Sequence, residues 1–356
     1  MPERRLQEVR RHLENARLDA LVVSHLPHIR YLTGFSGSNG LCVISRNRQF
    51  LLTDNRYRDQ VRDEVDGFRL HIARSSLFEA ARKFGVLKGV HRTGFEAQYL
   101  SVAAFRNLKK LFPELLLAPT HSVVENIAAV KEAGEIETIR RAVAITDAVF
   151  GRIVEILKPG VSEMDIAAEI GYWHKKLGAE GDGFEPIVAS GVRGAFPHAR
   201  PTMKKIKKGE LVTLDLGCRL DGYHSDLTRT VAVGEPGRKA RKIYRTVLDA
   251  QLKAIEAARA GVKNRVLDGV ARRHIRQAGY GPYFSHSLGH GLGIEIHEPL
   301  RLSALSKDVL AAGNVVTIEP GIYIPGFGGV RIEDDILVRK QDCEVLNNAP
   351  KELLVV

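Results

Sequence analysis

Cysteine and tryptophan are scarce: three Cys and one Trp in 356 residues, with aromatic side chains only 6% of the chain. Cys42, Cys218 and Cys343 are odd in number, widely spaced and without a CxxC pair. That excludes a disulfide framework and a thiolate zinc cage, and leaves three reduced thiols. No apolar run approaches the roughly 18 residues of a membrane span. The N-terminus, MPERRLQEVRRHLENARL, is charged and amphipathic where a signal peptide would carry an apolar block. The expected address is the cytoplasm, with no membrane partner. Also missing are a GxSxG elbow around any serine and a GxGxxG or Walker loop after a strand. Nucleophilic-serine and nucleotide-driven chemistry are therefore set aside.

What is present is an ordinary globular composition, 44% hydrophobic and 27% charged, long enough for two domains. The 53 Lys plus Arg against 42 Asp plus Glu give +11, which raises a nucleic-acid reading. Residues 1–130 hold 20 basic and 13 acidic side chains, +7, and residues 131–356 hold 33 and 29, only +4. The densest basic cluster, Lys204, Lys205, Lys207 and Lys208, precedes an apolar run and reads as a turn carrying solvated lysines. RNA-module aromatics, finger spacings and arginine-rich tails are lacking, so no nucleic-acid partner is expected.

Along the chain, Leu6, Val9, Leu13 and Ala16 recur at helical spacing ahead of a short strand, Ala20 to Val23. Strands at 41–44 and 49–53 follow, and helical stretches near 55–65, 76–84 and 98–111 alternate with short strands. The segment APTHSVVENIAAV (118–130) closes this α/β region. Ile136, Ile139, Val143, Thr146, Phe150, Ile153 and Leu157 then mark a long helix stopped by Lys158-Pro159-Gly160. Ser162 and Asp165 resemble a capping box opening a second helix. Two more helices are expected at about 237–260 and 264–278. The domains are accordingly placed at 1–124 and 125–356.

KKGELVTLDLG, ending at Gly217, and AAGNVVTIEPG, ending at Gly321, align at an offset of 104: Gly209 with Gly313, Thr213 with Thr317, Asp215 with Glu319. Each copy places a carboxylate on a strand, on the face shared with the threonine two residues earlier. Each also has a second acid downstream, Asp226 and Glu333. The reading is an internal two-fold repeat that gathers four acids. Four ionised carboxylates cannot share a site without a cation, and two divalent ions balance their charge. SHSLGHGLGIEIHEPLRLS (285–303) supplies His286, His290 and His297 as candidate nitrogen donors. His297-Glu298 does not continue to HExxH, since position 301 is Arg, and Gly289, Gly291 and Gly293 favour a loop or strand over a helix.

The set VASGVRGAFPHARPT (188–202), LDLGCRLDGYHSDLTRTV (214–231), SHSLGHGLGIEIHEP (285–299), TIEPGIY (317–323) and GVRIEDD (329–335) resembles the proline-specific metallopeptidases of the pita-bread fold, the aminopeptidase P and prolidase group. YLTGFSGSNG (31–40) is similar to the smaller creatinase-type domain of that group. The resemblance implies an α/β (α+β) chain, with an N-terminal creatinase-like domain before a C-terminal pita-bread domain built on a pseudo-two-fold repeat. It implies Asp215, Asp226, His290, Glu319 and Glu333 as ligands of two divalent ions, with Asp226 and Glu333 bridging. A water held between such ions is acidified and attacks the scissile carbonyl. Glu319 is then the proton acceptor, and His198 and His297 bond the substrate and the developing oxyanion. His286 lines the site, as a substrate contact or a structural histidine. Arg331 orients the carboxylates beside the substrate. His224 is expected to be structural. A carboxylate-rich, single-imidazole site points to manganese, with cobalt or zinc as alternatives.

The implied activity is cleavage of the Xaa-Pro bond in dipeptides or short peptides. A prolidase must also hold the proline carboxylate, and Arg301 stands where prolidases carry such a cation. That favours a dipeptidase over aminopeptidase P, although a surface arginine opening a turn is an alternative account of Arg301. A methionine aminopeptidase would lack the long N-terminal region and the PHARPT segment, and a non-catalytic binding module would have lost ligands. The resemblance also suggests a homodimer.

Overall fold

A computed structural model of the chain describes residues 2–356, which divide into two compact units after Ala128. In the first unit, the helix Pro2–Asn15 buries Leu6, Val9 and Leu13, the stripe its spacing predicts. A six-stranded sheet runs in the order Arg69–Ala73, Gln49–Asp54, Leu41–Ser45, Ala20–Val23, Arg92–Glu96, Leu116–Thr120. Pro119 lies on the last of these, an edge strand, where its missing N–H costs no ladder bond. The predicted helix over 55–65 is two pieces, a 3₁₀ turn Asn55–Tyr57 and the helix Gln60–Glu64. Asp54 opens the turn as its N-cap, its carboxylate accepting from the Arg56 N–H.

The second unit opens with the helix Ala133–Ile156, which buries Ile139, Val143, Thr146, Phe150 and Ile153 along one stripe. Each of the large apolar side chains on it stabilises the fold by about 1.5–3 kcal/mol. The helix Glu163–Lys176 follows, with the Ser162/Asp165 capping box formed. The strands Glu210–Leu216 and Leu227–Val233 pair antiparallel, with Ile187–Ser190 on the other side of the first. A second helix pair, Arg238–Ala257 and Asn264–Gln277, precedes a second antiparallel pair, Val315–Ile318 with Asp334–Val338. The latter sits within a five-stranded sheet that also holds Gly289–Gly291 and Glu298–Leu302. Helix pair and strand pair thus occur twice. Gly209 and Gly313, matched in the two copies, both enter their strands at left-handed φ, +87° and +93°, a conformation that glycine adopts without steric cost.

Two expectations are corrected. Glu319 lies one residue beyond its strand rather than on it, because Pro320 has no N–H with which to extend the ladder. Lys204 is not a solvated turn lysine: its Nζ donates to Ser190 Oγ (2.7 Å) and pairs with Glu210 (2.7 Å).

Candidate metal centre and substrate pocket

A cavity of about 550 Å³ opens in the second unit, and His198, Asp215, Asp226, His286, His290, His297, Arg301, Glu319, Arg331 and Glu333 all line it. Asp215 projects from the strand Glu210–Leu216, opposite Thr228 on the neighbouring strand. The Thr228 hydroxyl donates to Glu333 Oε2 (2.5 Å), and the Glu333 N–H donates to the Thr228 carbonyl (3.1 Å). Asp226 is fixed through its backbone N–H, which donates to Asp335 Oδ2 (2.9 Å). Thr317 steadies the other side, its hydroxyl accepting from the His290 N–H (3.1 Å) and donating to Glu319 Oε1 (3.3 Å).

The His290 ring lies with Nδ1 3.1 Å from the Gly291 carbonyl, an arrangement in which Nδ1–H donates and the Nε2 lone pair faces the acids. Nε2 is 3.5 Å from Glu319 Oε1 and 3.7 Å from Asp226 Oδ2. One donor atom each from Asp226, His290 and Glu333 lie within 4.8 Å of one another. Arg331 is the pivot on the other side. It donates to Asp215 Oδ2 (2.5 Å), Thr228 Oγ1 (3.0 Å), the Tyr323 hydroxyl (2.9 Å) and the Pro197 carbonyl (3.2 Å).

Burial, reinforced by the neighbouring carboxylates, holds Asp226 and Glu333 well above the usual carboxylate range. Burial also raises Asp215 and pushes Glu319 up to about 8, in both cases against the pull of Arg331. The imidazoles move the other way. Burial, with His297 beside it, lowers His290 to about 4, and burial with Arg331 nearby lowers His286 to about 3. At neutral pH His286 and His290 are therefore neutral, while Asp226, Glu319 and Glu333 retain protons unless a cation joins them. Asp215 Oδ1 and Asp226 Oδ1 are buried with no hydrogen-bond partner. Orphaned carboxylate oxygens and an unprotonated imidazole in one cluster form a donor set suited to divalent cations.

The pocket walls carry the remaining predicted residues. His198 stands exposed on the turn after Gly191–Ala195. The His297 ring lies 4.4 Å from that of His290, and burial and Arg301 lower its pKa. Behind His297, Glu298 forms a buried ion pair with Lys131. Arg301 is directly opposite His290 in the strand register, so the two side chains share a sheet face. His286 Nε2 is 2.9 Å from the Tyr323 hydroxyl, whose pKa burial pushes up to about 12. His224 lies off the cavity, its Nδ1 3.1 Å from the Gly293 carbonyl, as a structural histidine should. Tyr323, Thr228 and Asp335 were not singled out from the sequence. Their signal was adjacency: each falls inside a motif quoted for the resemblance, and Thr228 lies two residues after Asp226.

Residues 137–340 match the metallopeptidase family M24, and residues 5–130 match the creatinase/prolidase N-terminal domain. An Xaa-Pro dipeptidase of Pyrococcus furiosus is 36% identical over 351 residues, covering 98% of this chain and 99% of that protein. Among solved structures, an Xaa-Pro dipeptidase from Bacillus anthracis superposes with a TM-score of 0.97 at 38% identity, covering 100% of both chains. An X-Pro aminopeptidase from Thermotoga maritima reaches a TM-score of 0.90 at 35% identity, covering 95% of this chain and 98% of that one.

Proposed function

The chain belongs to metallopeptidase family M24, with a creatinase/prolidase N-terminal domain before its pita-bread domain, and from that premise we propose that it hydrolyses the Xaa-Pro bond of dipeptides. The observation that supports this reading is that Asp215, Asp226, His290, Glu319 and Glu333 line one cavity together with His198, His297 and Arg301. As a member of a metallopeptidase family it binds divalent metal; that it holds two ions, and that these are manganese, belongs to the proposal. Asp215, Asp226, His290, Glu319 and Glu333 would hold them. Bound there, the ions supply a Lewis acid for the scissile carbonyl and a water acidified enough to attack it.

The protein's own groups then do the rest. Glu319 takes the proton of the attacking water and returns it to the departing proline nitrogen, which leaves as a neutral secondary amine. His198 and His297 donate hydrogen bonds to the substrate and to the oxyanion that forms on the carbonyl oxygen. Arg331 keeps Asp215 aimed through its 2.5 Å bond. Arg301 neutralises the carboxylate of the proline, which a dipeptide presents and a longer peptide places farther away. A homodimer and a cytoplasmic address complete the proposal, on the same resemblance.

A paired assay with manganese-loaded protein tests it. Release from Ala-Pro should exceed release from Ala-Pro-Gly. The reverse order would make the protein an aminopeptidase P, and failure to cut either peptide would sink the reading.

A further inference from the structure

The loop that presents His198 is gripped at both ends by one carboxylate. Glu163, fully buried at the first turn of the helix Glu163–Lys176, stands outside the cavity. Its Oε1 accepts from the Ser190 N–H (2.9 Å) and hydroxyl (2.8 Å), where the loop leaves the strand Ile187–Ser190. Its Oε2 accepts from the Thr202 N–H (3.1 Å) and hydroxyl (2.8 Å), where the loop returns. Arg193 Nε donates to the same group, 3.0 Å from Oε2, and Arg193 Nη2 reaches across to the Arg200 carbonyl (2.5 Å). Between these anchors lies the turn Phe196–Ala199, closed by the Ala199 N–H donating to the Phe196 carbonyl (3.2 Å). The tip is held from the cavity side by Arg331, through the Pro197 carbonyl. Midway, the backbones of Gly194 and Gly329 pack so closely that a Cβ on Gly329 would overlap the Gly194 carbonyl oxygen.

We infer that Glu163 is a positioning residue for His198, clamping both ends of the loop from Ser190 to Thr202 so that the imidazole meets the substrate in one place. This rests on the proposed contact of His198 with substrate. All the groups facing Glu163 are donors, so both carboxylate oxygens must accept. An amide in its place would point N–H at Ser190 or at Thr202. A hydroxyl can turn to accept that N–H, but a backbone N–H cannot, so one end of the loop is released. Small misplacement of a positioning group costs up to about 100-fold in rate.

A double-mutant cycle on the metal-loaded protein tests the inference. Glu163→Gln should lower kcat/KM for Ala-Pro by about 10- to 100-fold, with metal stoichiometry unchanged. In the His198→Ala background the same substitution should cost less than about twofold, because the residue being positioned is gone. Arg193→Met, at a partly exposed site, is the second variant should Glu163→Gln fail to fold, and it should show the same dependence on His198. Equal fold losses in both backgrounds would show a general structural role and overturn the inference. If His198→Ala alone leaves kcat/KM unchanged, the role given to His198 falls, and the positioning of it falls too.

Discussion

Arg331 shows how much one side chain can organise here. It is almost fully buried, and although burial opposes its charge, Tyr323 and the site acids hold its pKa well above the ordinary value. Its four donor contacts reach Asp215, Thr228, Tyr323 and Pro197, so it ties Asp215, the threonine that bonds Glu333 and the His198 loop to one guanidinium. A lysine would keep the charge but supply one compact ammonium in place of a fork. Arg331→Lys should therefore weaken manganese binding by about 10- to 100-fold, measured by metal titration, while the fold is retained. Arg301 poses a different question: it lies opposite His290 in the strand register and lines the cavity, and it is the cation proposed for the substrate carboxylate. Arg301→Ala should raise KM for Ala-Pro by about tenfold or more, the worth of a charge-assisted pair, and leave KM for Ala-Pro-Gly nearly constant. Equal effects on the two peptides would remove the carboxylate clamp from the account.

At the scale of strands, the site depends on two backbones meeting without side chains between them. Gly289 begins the short strand that carries His290, and a Cβ there would overlap the Thr317 carbonyl oxygen, just before Glu319. Gly289→Ala must push the segments that carry His290 and Glu319 apart. It should cost about 1–3 kcal/mol of stability, as overpacking does, read as a lower Tm, and it should reduce bound metal in proportion to the displacement of His290 from Glu319. A variant with wild-type Tm and metal content would contradict the packing argument. Such elements were partly readable from the chain. The helix over 133–156 carries a mainly apolar stripe, with Thr146 within it, so periodicity located it to within a few residues. The acids were readable because the repeat carries them with its threonines and glycines. The end of the strand at Ile318 was not, because it depends on a missing N–H at Pro320 rather than on any apolar pattern. Nor was the grip of Glu163, whose partners lie 27 to 39 residues away and become neighbours only in the folded chain.

For the whole molecule, the site is a liability to folding until a cation arrives. The formal charge of +11 counts the site acids as ionised, yet in the metal-free protein burial holds Asp226, Glu333 and Asp335 well above the usual carboxylate range, and Glu319 at about 8. A carboxyl that keeps its proton in the folded state after the unfolded chain has released it makes folding proton-consuming. Its contribution is whole below the unfolded pKa and is lost as pH rises through the folded one. The buried histidines act oppositely: His286 and His290 are lowered, so their penalty is felt at acid pH and vanishes above the ordinary histidine value of about 6.5. Between about 6.5 and 8, then, only the acids still contribute a slope, and each proton retained costs about 1.4 kcal/mol per pH unit. Divalent ions bind the ionised acids and reverse that penalty, so they stabilise more as pH rises. Thermal unfolding with a chelator should show Tm falling from pH 6.5 to 8. With saturating manganese Tm should hold nearly level, and the gap between the two should widen with pH. A gap of constant width would mean that the acids are already ionised without metal. Glu319→Gln, which removes one titrating group, should flatten the metal-free slope.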